Sequence, residues 1–365
     1  MIEHIGEGSF SKIAEILDDL NIKKVFVVRG NKSFKLSGAA SRLKTILKKY
    51  KVFYYSDCVI NPDDKSVLSG TLVLEKVKPD IIIAIGGGSV IDTAKLISIL
   101  SEHLPEYRSD IITGKRKIVK KGLPIIAVPT TSGSGSEATH FATIYKNKKK
   151  FSVAHPFIKP LYAIIDSELV HSLPSNTLAV SGVDALSHSI ESLWSKSANN
   201  ESKTIAKKAL KRLLPNIKKA VLDNSKNAIS EIHIGAHLAG KAIDISKTTA
   251  AHALSYPLTS FLGVPHGQAV GILIYKILKI HETECIRENK SLYKTMEYLR
   301  LIFSTNSVSK KWQELLVNIG LKTEFADIGF KKNTDLKIIY NNLNLERLNN
   351  HPIKIDMELV KEIFD

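Results

Sequence analysis

The sequence has few cysteines and no long apolar segment. Both features argue against a disulfide-rich secreted protein or a membrane protein. Two of the 365 residues are cysteine, Cys58 and Cys285, which is too few for a disulfide framework. We therefore expect a reducing, cytoplasmic location. Residues 1–20 lack the basic start and apolar run of a signal peptide. No uninterrupted apolar stretch approaches the ~20 residues that span a bilayer, so a membrane role is not expected.

Signatures of nucleic-acid binding are also missing, although the chain is strongly basic. Lysine and arginine number 52 against 36 acidic residues, which gives a net charge of +16. Neither zinc-finger spacing nor an aromatic RNA-binding segment accompanies this charge, so no nucleic-acid partner is expected. The excess of lysine indicates solvated surfaces or attraction of an anionic substrate.

The pattern of apolar residues divides the chain into two regions. Residues 1–166 alternate short apolar strands with amphipathic helices, as in "DIIIAIGGG" followed by "SVIDTAKLISILSEH". This alternation predicts an α/β domain whose parallel sheet is covered by helices on both faces. Residues 167–365 read as helical almost throughout, so we predict a second, all-α domain.

A glycine-rich turn follows the most apolar strand. Gly86, Gly87, Gly88 and Ser89 lie between that strand and the next helix. Glycines allow close approach of a ligand, and the helix start offers N–H groups to a phosphate, although a tight turn without a ligand is the alternative. The loop 128–139 also follows a strand and is rich in glycine and hydroxyl groups. Both loops should meet at the sheet edge where ligands bind in open α/β folds.

Four residues of the second region form a candidate metal site. Asp184 and His188 are four residues apart in a helical segment and should share one face. This pair alone also suits a histidine that a neighbouring carboxylate orients. His252 and His266 complete a set of one carboxylate and three imidazoles, which suits Fe(II) or Zn(II) rather than calcium or magnesium.

These segments together resemble the iron-containing, metal-dependent alcohol dehydrogenase family. The resemblance is clearest over residues 23–270 and rests on "DIIIAIGGGSVIDTAK", "PIIAVPTTSGSGSEAT", "SGVDALSHSIES", "AAHALSYPL" and "GVPHGQAV". It implies an enzyme that exchanges hydride between NAD(P)(H) and an alcohol or aldehyde. It also implies an N-terminal dinucleotide-binding domain, a helical C-terminal domain and an active site in the cleft between them. We expect a homodimer or a larger homo-oligomer.

The resemblance also assigns roles to individual residues. The implied metal ligands are the four residues of the candidate metal site, and the implied pyrophosphate-binding turn is the glycine turn. The implied contacts to adenosine and nicotinamide are Asp92, Thr130, Thr131, Ser134 and Lys150.

One departure from the family pattern concerns the cofactor. Many relatives carry an aspartate after the first strand of the dinucleotide fold, where it binds the ribose 2′-hydroxyl. Here Gly30 stands at that position, with Arg29 and Lys32 beside it. The loss of the carboxylate beside two cations favours NADP(H) over NAD(H).

Two further departures concern catalysis and the substrate. Tyr256 stands where many relatives have a second histidine, and it either passes a proton or fills the space. Lys241 and Lys247 precede His252 and either face solvent or form a cationic substrate pocket. This combination resembles the branch of the family that reduces phosphonoacetaldehyde, which makes a small anionic aldehyde the expected substrate.

Other functions stay open at this stage. Sulfoacetaldehyde or an uncharged short-chain aldehyde could replace phosphonoacetaldehyde as the substrate. A non-redox lyase or synthase reaction on the same scaffold is an alternative of another class. A catalytically silent binding protein is the third, and the presence of all four metal-site residues and both loops argues against it.

Overall fold

The protein, described here by a computed structural model over residues 1–283 and 289–365, consists of two compact units. The first spans Met1–Leu173 and the second Pro174–Asp365. The predicted fold class, a parallel α/β unit followed by a helical unit, is confirmed. Cys285 lies outside the described residues, and Cys58 is a partly buried thiol.

The first unit continues past residue 166, where the sequence pattern placed the domain boundary. Asp166 accepts backbone N–H groups from Gly8 at 3.2 Å and from Phe10 at 3.0 Å. Leu169 is buried in the same apolar cluster as Phe10. Because these contacts hold the segment after the last strand onto the first unit, the helical unit begins at Pro174.

Eight strands lie in the first unit: β1 (Ile2–Ile5), β2 (Lys24–Arg29), β3 (Lys51–Tyr55), β4 (Ile81–Gly86), β5 (Ile125–Pro129), β6 (Phe141–Lys146), β7 (Lys149–Ala154) and β8 (Tyr162–Ile165). Six of them form a parallel sheet in the order β1-β8-β5-β4-β2-β3. The antiparallel pair β6–β7 is a separate hairpin, which is not evident from the sequence pattern.

Helices cover both faces of the sheet: α1 (Lys12–Asp19), α2 (Lys32–Leu36), α3 (Ala39–Ile46), α4 (Asp64–Val77), α5 (Gly88–Leu100) and α6 (Pro105–Ile112). Successive side chains of a strand point to opposite faces. Ile82 accordingly joins the apolar cluster beneath α5, whereas Ile81 and Ile83 join the cluster on the other face. This two-sided burial explains the continuous apolar sequence of β4.

The second unit contains ten helices among the described residues: α7 (Ser175–Trp194), α8 (Asn200–Leu222), α9 (Lys226–Ser246), α10 (Ala250–Leu262), α11 (His266–Thr283), α12 (Lys290–Phe303), α13 (Val308–Asn318), α14 (Lys332–Asn341), α15 (Leu345–Asn349) and α16 (Met357–Ile363). Helix α7 packs against α8, α9 and α11 and is buried from Gly182 to its end. Within the described ranges, no helix has both the length and the apolar character required to cross a membrane.

Candidate functional site

The glycine turn of the first unit joins β4 to α5 as predicted from the sequence. Gly86 ends the strand, Gly87 caps the helix, and the backbone N–H of Val90 donates to the Gly87 carbonyl at 3.0 Å. Gly87, Gly88 and Ser89 are partly exposed. Since the first N–H groups of a helix have no partner within it, this turn is able to hold a phosphate.

The second predicted loop lies directly against the glycine turn. A Cβ atom on Gly88 would lie 2.4 Å from Ser134 Oγ, and one on Gly87 would lie 3.2 Å from the Thr131 side chain. The backbone N–H of Thr130 donates to the Gly86 carbonyl at 2.9 Å, because β5 is the neighbour of β4. The structure therefore brings together the two loops that the sequence placed at one sheet edge.

Asp92 and Lys150 lie on opposite sides of the contact between α5 and the hairpin. The Asp92 carboxylate accepts the Ser136 hydroxyl at 2.5 Å and the Thr143 backbone N–H at 2.9 Å. Burial raises the pKa of Asp92, and the charges of Lys95 and Lys150 oppose that rise. Asp92 thus anchors the second loop and the hairpin, and a direct contact of either residue with a nucleotide stays a prediction.

Gly30 follows β2 and lies next to the end of β4, where the glycine turn begins. Its backbone N–H donates to the Ile85 carbonyl at 3.2 Å, because β2 pairs with β4 while β3 lies on the other side of β2. The chain order therefore reverses between β2 and β4, where open α/β sheets bind ligands. The Arg29 guanidinium stacks over Phe34 at 5.2 Å, and Lys32 is exposed.

In the second unit, the four candidate metal ligands meet around one carboxylate oxygen. Asp184 and His188 lie on α7, His252 lies on α10, and His266 begins α11. The distance from Asp184 Oδ1 is 3.4 Å to His252 Nε2 and 3.8 Å to the Nε2 atoms of His188 and His266. The rings of His188 and His252 stack with centroids 4.5 Å apart.

Two glycines allow the helical hairpin α10–α11 to bring its histidines to α7. Gly263 has a φ of 70° and ends α10 in the left-handed conformation that glycine adopts without a steric penalty. At Gly267, an added Cβ would lie 2.0 Å from the Val180 backbone oxygen. Only a glycine lets α11 approach the α7 backbone this closely, next to His266.

The geometry fits a divalent cation. Ligand atoms of Asp184, His252 and His266 all lie within 4.8 Å of one another. Asp184 Oδ1 and His252 Nε2 are buried, and neither makes a hydrogen bond to any described residue. The donor set of three imidazoles and one carboxylate suits Fe(II) or Zn(II).

Electrostatics also favour positive charge at this point. Burial alone would raise the pKa of Asp184, but the charges of His188 and His266 hold it well below its usual range. Burial opposes charging of His252, yet Glu191 and Asp184 raise its pKa to about 9. A cation that binds here therefore competes with the proton of His252 for the Asp184 carboxylate.

Glu191 belongs to this site although it was not predicted from the sequence. Its fully buried carboxylate accepts the Nδ1–H group of His252, and it also accepts the backbone N–H groups of Thr249 and Ala251, both at 3.1 Å. It therefore caps α10 from the neighbouring helix and directs His252 Nε2 toward Asp184, where a bound cation would replace the proton on that nitrogen. Its position seven residues after Asp184 on α7 was the available signal, since both lie on one helix face.

The structure places Tyr256 against the metal site. Tyr256 is 9% exposed, and its ring stacks on His266 with centroids 6.0 Å apart. Burial raises the pKa of Tyr256, while the Arg347 guanidinium and a hydrogen bond with Thr248 oppose that rise. Arg347 itself is 5% exposed, so a buried positive charge lies beside Tyr256.

The two predicted substrate lysines lie in different surroundings. Lys247 follows α9 and forms an ion pair with Glu346 at 2.5 Å. Lys241 lies on α9 and is partly exposed. A role of either lysine in substrate binding stays a prediction.

Comparison with known proteins agrees with this geometry. The family model of iron-containing alcohol dehydrogenases matches residues 3–167, and the model of the C-terminal part of the same family matches residues 178–365. The NADPH-dependent butanol dehydrogenase of Clostridium saccharobutylicum is 27% identical over 378 residues, which cover 99% of this chain and 95% of the relative.

Two further relatives act on anionic aldehydes according to their names. The phosphonoacetaldehyde reductase of Streptomyces viridochromogenes is 33% identical over 234 residues, which cover 60% of this chain and 57% of the relative. The structure of the sulfoacetaldehyde reductase from Bifidobacterium kashiwanohense in complex with NAD⁺ has a TM-score of 0.89 at 27% identity, covering 100% of this chain and 96% of that one. With both halves of the chain matched, the protein is an enzyme that belongs to the iron-containing alcohol dehydrogenase family.

Proposed function

We propose that this enzyme reduces a small anionic aldehyde to the alcohol, with phosphonoacetaldehyde as the best candidate substrate. The balanced reaction consumes one aldehyde, one reduced nicotinamide dinucleotide and one proton, and it yields the alcohol and the oxidised dinucleotide. The observation that carries the proposal is the convergence of three imidazole nitrogens on Asp184 Oδ1.

In this proposal Asp184, His188, His252 and His266 hold Fe²⁺ or Zn²⁺, and the glycine turn with the second loop holds the dinucleotide. When bound, the divalent cation polarises the carbonyl group and the nicotinamide supplies the hydride. The His266 side chain is 31% exposed, whereas that of Asp184 is 10% exposed. The aldehyde therefore has access to the site on the side of His266.

Tyr256 is suited to donate a proton rather than to accept one. Its raised pKa keeps the phenol protonated near neutral pH, and it lies against His266 on the accessible side of the site. A protonated phenol can deliver the proton that the reduced substrate oxygen needs. We therefore propose Tyr256 as the proton donor.

Arg347 supports an anionic substrate. Its guanidinium is buried, carries a fixed positive charge and lies close enough to Tyr256 to alter the pKa of that phenol. Arg347, as a buried cation near Tyr256, and the partly exposed Lys241 are the candidates for binding a phosphonate or sulfonate group. The names of the two anionic-aldehyde reductases among the relatives agree with this assignment.

The proposed cofactor preference is NADP(H). No carboxylate occupies the position of Gly30, and Lys32 is exposed beside it. A 2′-phosphate therefore meets positive rather than negative charge at the end of β2. The name of the butanol dehydrogenase relative mentions NADPH, and the sulfoacetaldehyde reductase was solved with NAD⁺, so the preference rests on this chain's own residues.

The test is a comparison of aldehydes in the metal-loaded enzyme. Oxidation of NADPH and NADH is followed by absorbance with phosphonoacetaldehyde, sulfoacetaldehyde and uncharged propanal. The account predicts the highest kcat/KM for phosphonoacetaldehyde with NADPH. In Arg347→Met, the kcat/KM for phosphonoacetaldehyde should fall about 10- to 100-fold, the loss of a charged hydrogen bond, with little change for propanal.

A general short-chain alcohol dehydrogenase is the second candidate function. The butanol dehydrogenase relative, which matches nearly the full length of this chain, favours it. A preference for propanal in the same assay, unaffected by Arg347→Met, would support this candidate and overturn the anionic-substrate proposal.

A further inference from the structure

A buried hydrogen-bond chain continues from the metal site into the interior of the second unit. Thr249 lies at its centre and is fully buried. Its Oγ1 atom lies 2.6 Å from Glu191 Oε1, 3.0 Å from Trp194 Nε1 and 3.3 Å from His351 Nδ1. The hydroxyl therefore has three polar neighbours, which is the number that its one proton and two lone pairs can bind.

The chain ends on a pair of fully buried histidines. His351 Nε2 lies 3.1 Å from His281 Nε2, and the two rings stack with centroids 5.1 Å apart. On the far side, His281 Nδ1 makes no hydrogen bond to any residue of the ranges 1–283 and 289–365. The Trp194 ring meets His281 edge to face at 4.8 Å. The pair is thus enclosed, and no acceptor among the described residues would receive a proton from His281 Nδ1.

The donors and acceptors in this chain are determined by its first member. An ionised carboxylate only accepts, so the single hydroxyl proton of Thr249 goes to Glu191. Both lone pairs of Thr249 Oγ1 then accept, one from the indole N–H of Trp194 and one from Nδ1–H of His351. His351 is therefore the Nδ1–H tautomer.

The same logic fixes the second histidine. With its proton on Nδ1, the neutral His351 ring presents a lone pair at Nε2, which accepts from Nε2–H of His281. His281 Nδ1 then carries a lone pair, in agreement with its lack of an acceptor among the described residues. Burial lowers the pKa of His281 to about 3 and that of His351 well below its usual range, so both rings are neutral.

We propose that Thr249, His351 and His281 are positioning residues that lock Glu191 in place and, through it, the Nδ1–H tautomer of His252. With Nδ1–H held by Glu191, His252 directs Nε2 toward Asp184 Oδ1, where this nitrogen would bind a cation in place of its proton. Hydrogen bonds in the outer shell of a metal site set the orientation and basicity of its histidines. The inference rests on the proposed role of His252 as a metal ligand.

The first test compares three purified variants in the full-length protein, stripped of metal and titrated with Zn²⁺ against a chromophoric chelator. Thr249→Val removes the hydroxyl, Thr249→Ser retains it, and Thr295→Val is the matched control. Thr295 is a buried threonine of the same unit whose hydroxyl donates to the carbonyl oxygens of Leu193 and Ser291.

We expect Thr249→Val to lower the Zn²⁺ affinity about 10- to 100-fold, the usual effect of losing an outer-shell partner. Thr249→Ser and Thr295→Val should bind Zn²⁺ as the wild type does. Unchanged affinity in Thr249→Val, or an equal loss in Thr295→Val, would overturn the proposal, because the effect would then be absent or merely structural.

The second test reads the tautomers directly in the metal-free protein by ¹⁵N NMR of labelled histidine. His351 should show a protonated Nδ1 and His281 a protonated Nε2, with signals assigned by single His→Asn variants. Thr249→Val should abolish the fixed tautomer of His351, and Thr249→Ser should restore it.

Protonated Nε2 in His351 of the wild type would contradict the assignment whatever the metal affinity. This measurement also tests the hydrogen-bond chain separately from the proposed function. If the wild type binds no divalent cation, the proposed function fails, while the tautomer spectrum still decides the hydrogen-bond chain.

Discussion

At the scale of single residues, Glu191 has the most influence on the candidate metal site. Its carboxylate receives the hydroxyl proton of Thr249, two backbone N–H groups at the start of α10 and the Nδ1–H group of His252. A charged acceptor at the start of a helix is also favoured by the helix dipole. One buried side chain thus fixes both a helix end and a histidine.

The substitution Glu191→Gln should weaken metal binding. The amide oxygen can replace Oε1, which accepts from Thr249 and Ala251, but the N–H₂ group then replaces Oε2 and faces Nδ1 of His252, so His252 loses the acceptor that orients it. We expect the affinity for Zn²⁺ to fall about 10- to 100-fold in chelator competition. Glu346→Gln, which removes a surface ion pair with Lys247, is the control and should leave the affinity unchanged. Equal affinities in both variants would refute the role of Glu191.

The residue at position 30 should decide the choice of dinucleotide. A Cβ there would lie 2.3 Å from Ser33 Oγ, so Gly30→Asp is best combined with Ser33→Ala, which removes that atom. The new carboxylate repels a 2′-phosphate and can bind a 2′-hydroxyl. We expect the ratio of kcat/KM for NADPH over NADH to fall at least about tenfold, since facing like charges cost several kcal/mol and about 1.4 kcal/mol corresponds to a factor of ten. Ser33→Ala alone serves as the control, and an unchanged ratio in the double variant would contradict the assignment.

At the scale of elements, the hairpin α10–α11 depends on the close approach of α11 to α7. An added Cβ at Gly267 meets the backbone oxygen of Val180 at 2.0 Å, whereas at Gly271 it meets the Val183 side chain at 3.0 Å. Gly267→Ala should therefore destabilise the protein by about 1–3 kcal/mol, the usual cost of overpacking, and should also displace His266. Gly271→Ala should cost less, because side chains can move where backbone cannot. Urea unfolding of both variants checks this order, and the reverse order would contradict it.

The strands and helices around the glycine turn and the second loop were predictable, because the order of apolar and polar residues within each segment reflects its burial. The strand β4 is buried on both faces, so its five apolar residues 81–85 are continuous, and the glycines that follow mark its end. The hairpin β6–β7 was not predictable in the same way. Its turn places Asn147 and Lys148 at φ values of 51° and 62° within a run of lysines that reads as a solvated loop.

In the candidate metal site, too, residues placed by local spacing were predictable, whereas contacts between distant segments were not. Asp184 and His188 follow the spacing of one helix, and the histidines at 252 and 266 follow from a helical hairpin, so their proximity was predictable. The partners of Glu191 lie at the start of α10, about sixty residues further along the chain, and the local pattern of α7 does not predict them. The pairing of Lys247 with Glu346 depends on α15 in the same way.

At the scale of the whole molecule, the buried histidines make stability depend on pH. Folding holds His281 neutral because burial lowers its pKa to about 3, whereas the unfolded chain takes up that proton near pH 6.5. The unfolded state binds more protons between these values, so the stability contributed by His281 is lost as the pH falls below about 6.5.

A variant that cannot titrate should lose less stability in acid. His281→Gln keeps an N–H donor toward His351 but cannot take up a proton. In metal-free protein, the free energy of unfolding should fall less steeply below pH 6.5 than in the wild type, by up to about 1.4 kcal/mol per pH unit, the slope of one proton. Parallel pH profiles for the two proteins would show that His281 does not contribute.

The dependence of aldehyde reduction on a single bound cation tests the account most directly. NADPH oxidation with phosphonoacetaldehyde is measured in the chelator-stripped enzyme and after addition of one equivalent of Fe²⁺ or Zn²⁺ per chain. The account predicts no turnover in the stripped enzyme and its recovery at one equivalent in the wild type, with no recovery in Asp184→Ala. Turnover that is the same with and without the cation, or a metal-loaded wild type that consumes the aldehyde without oxidising NADPH, would contradict it.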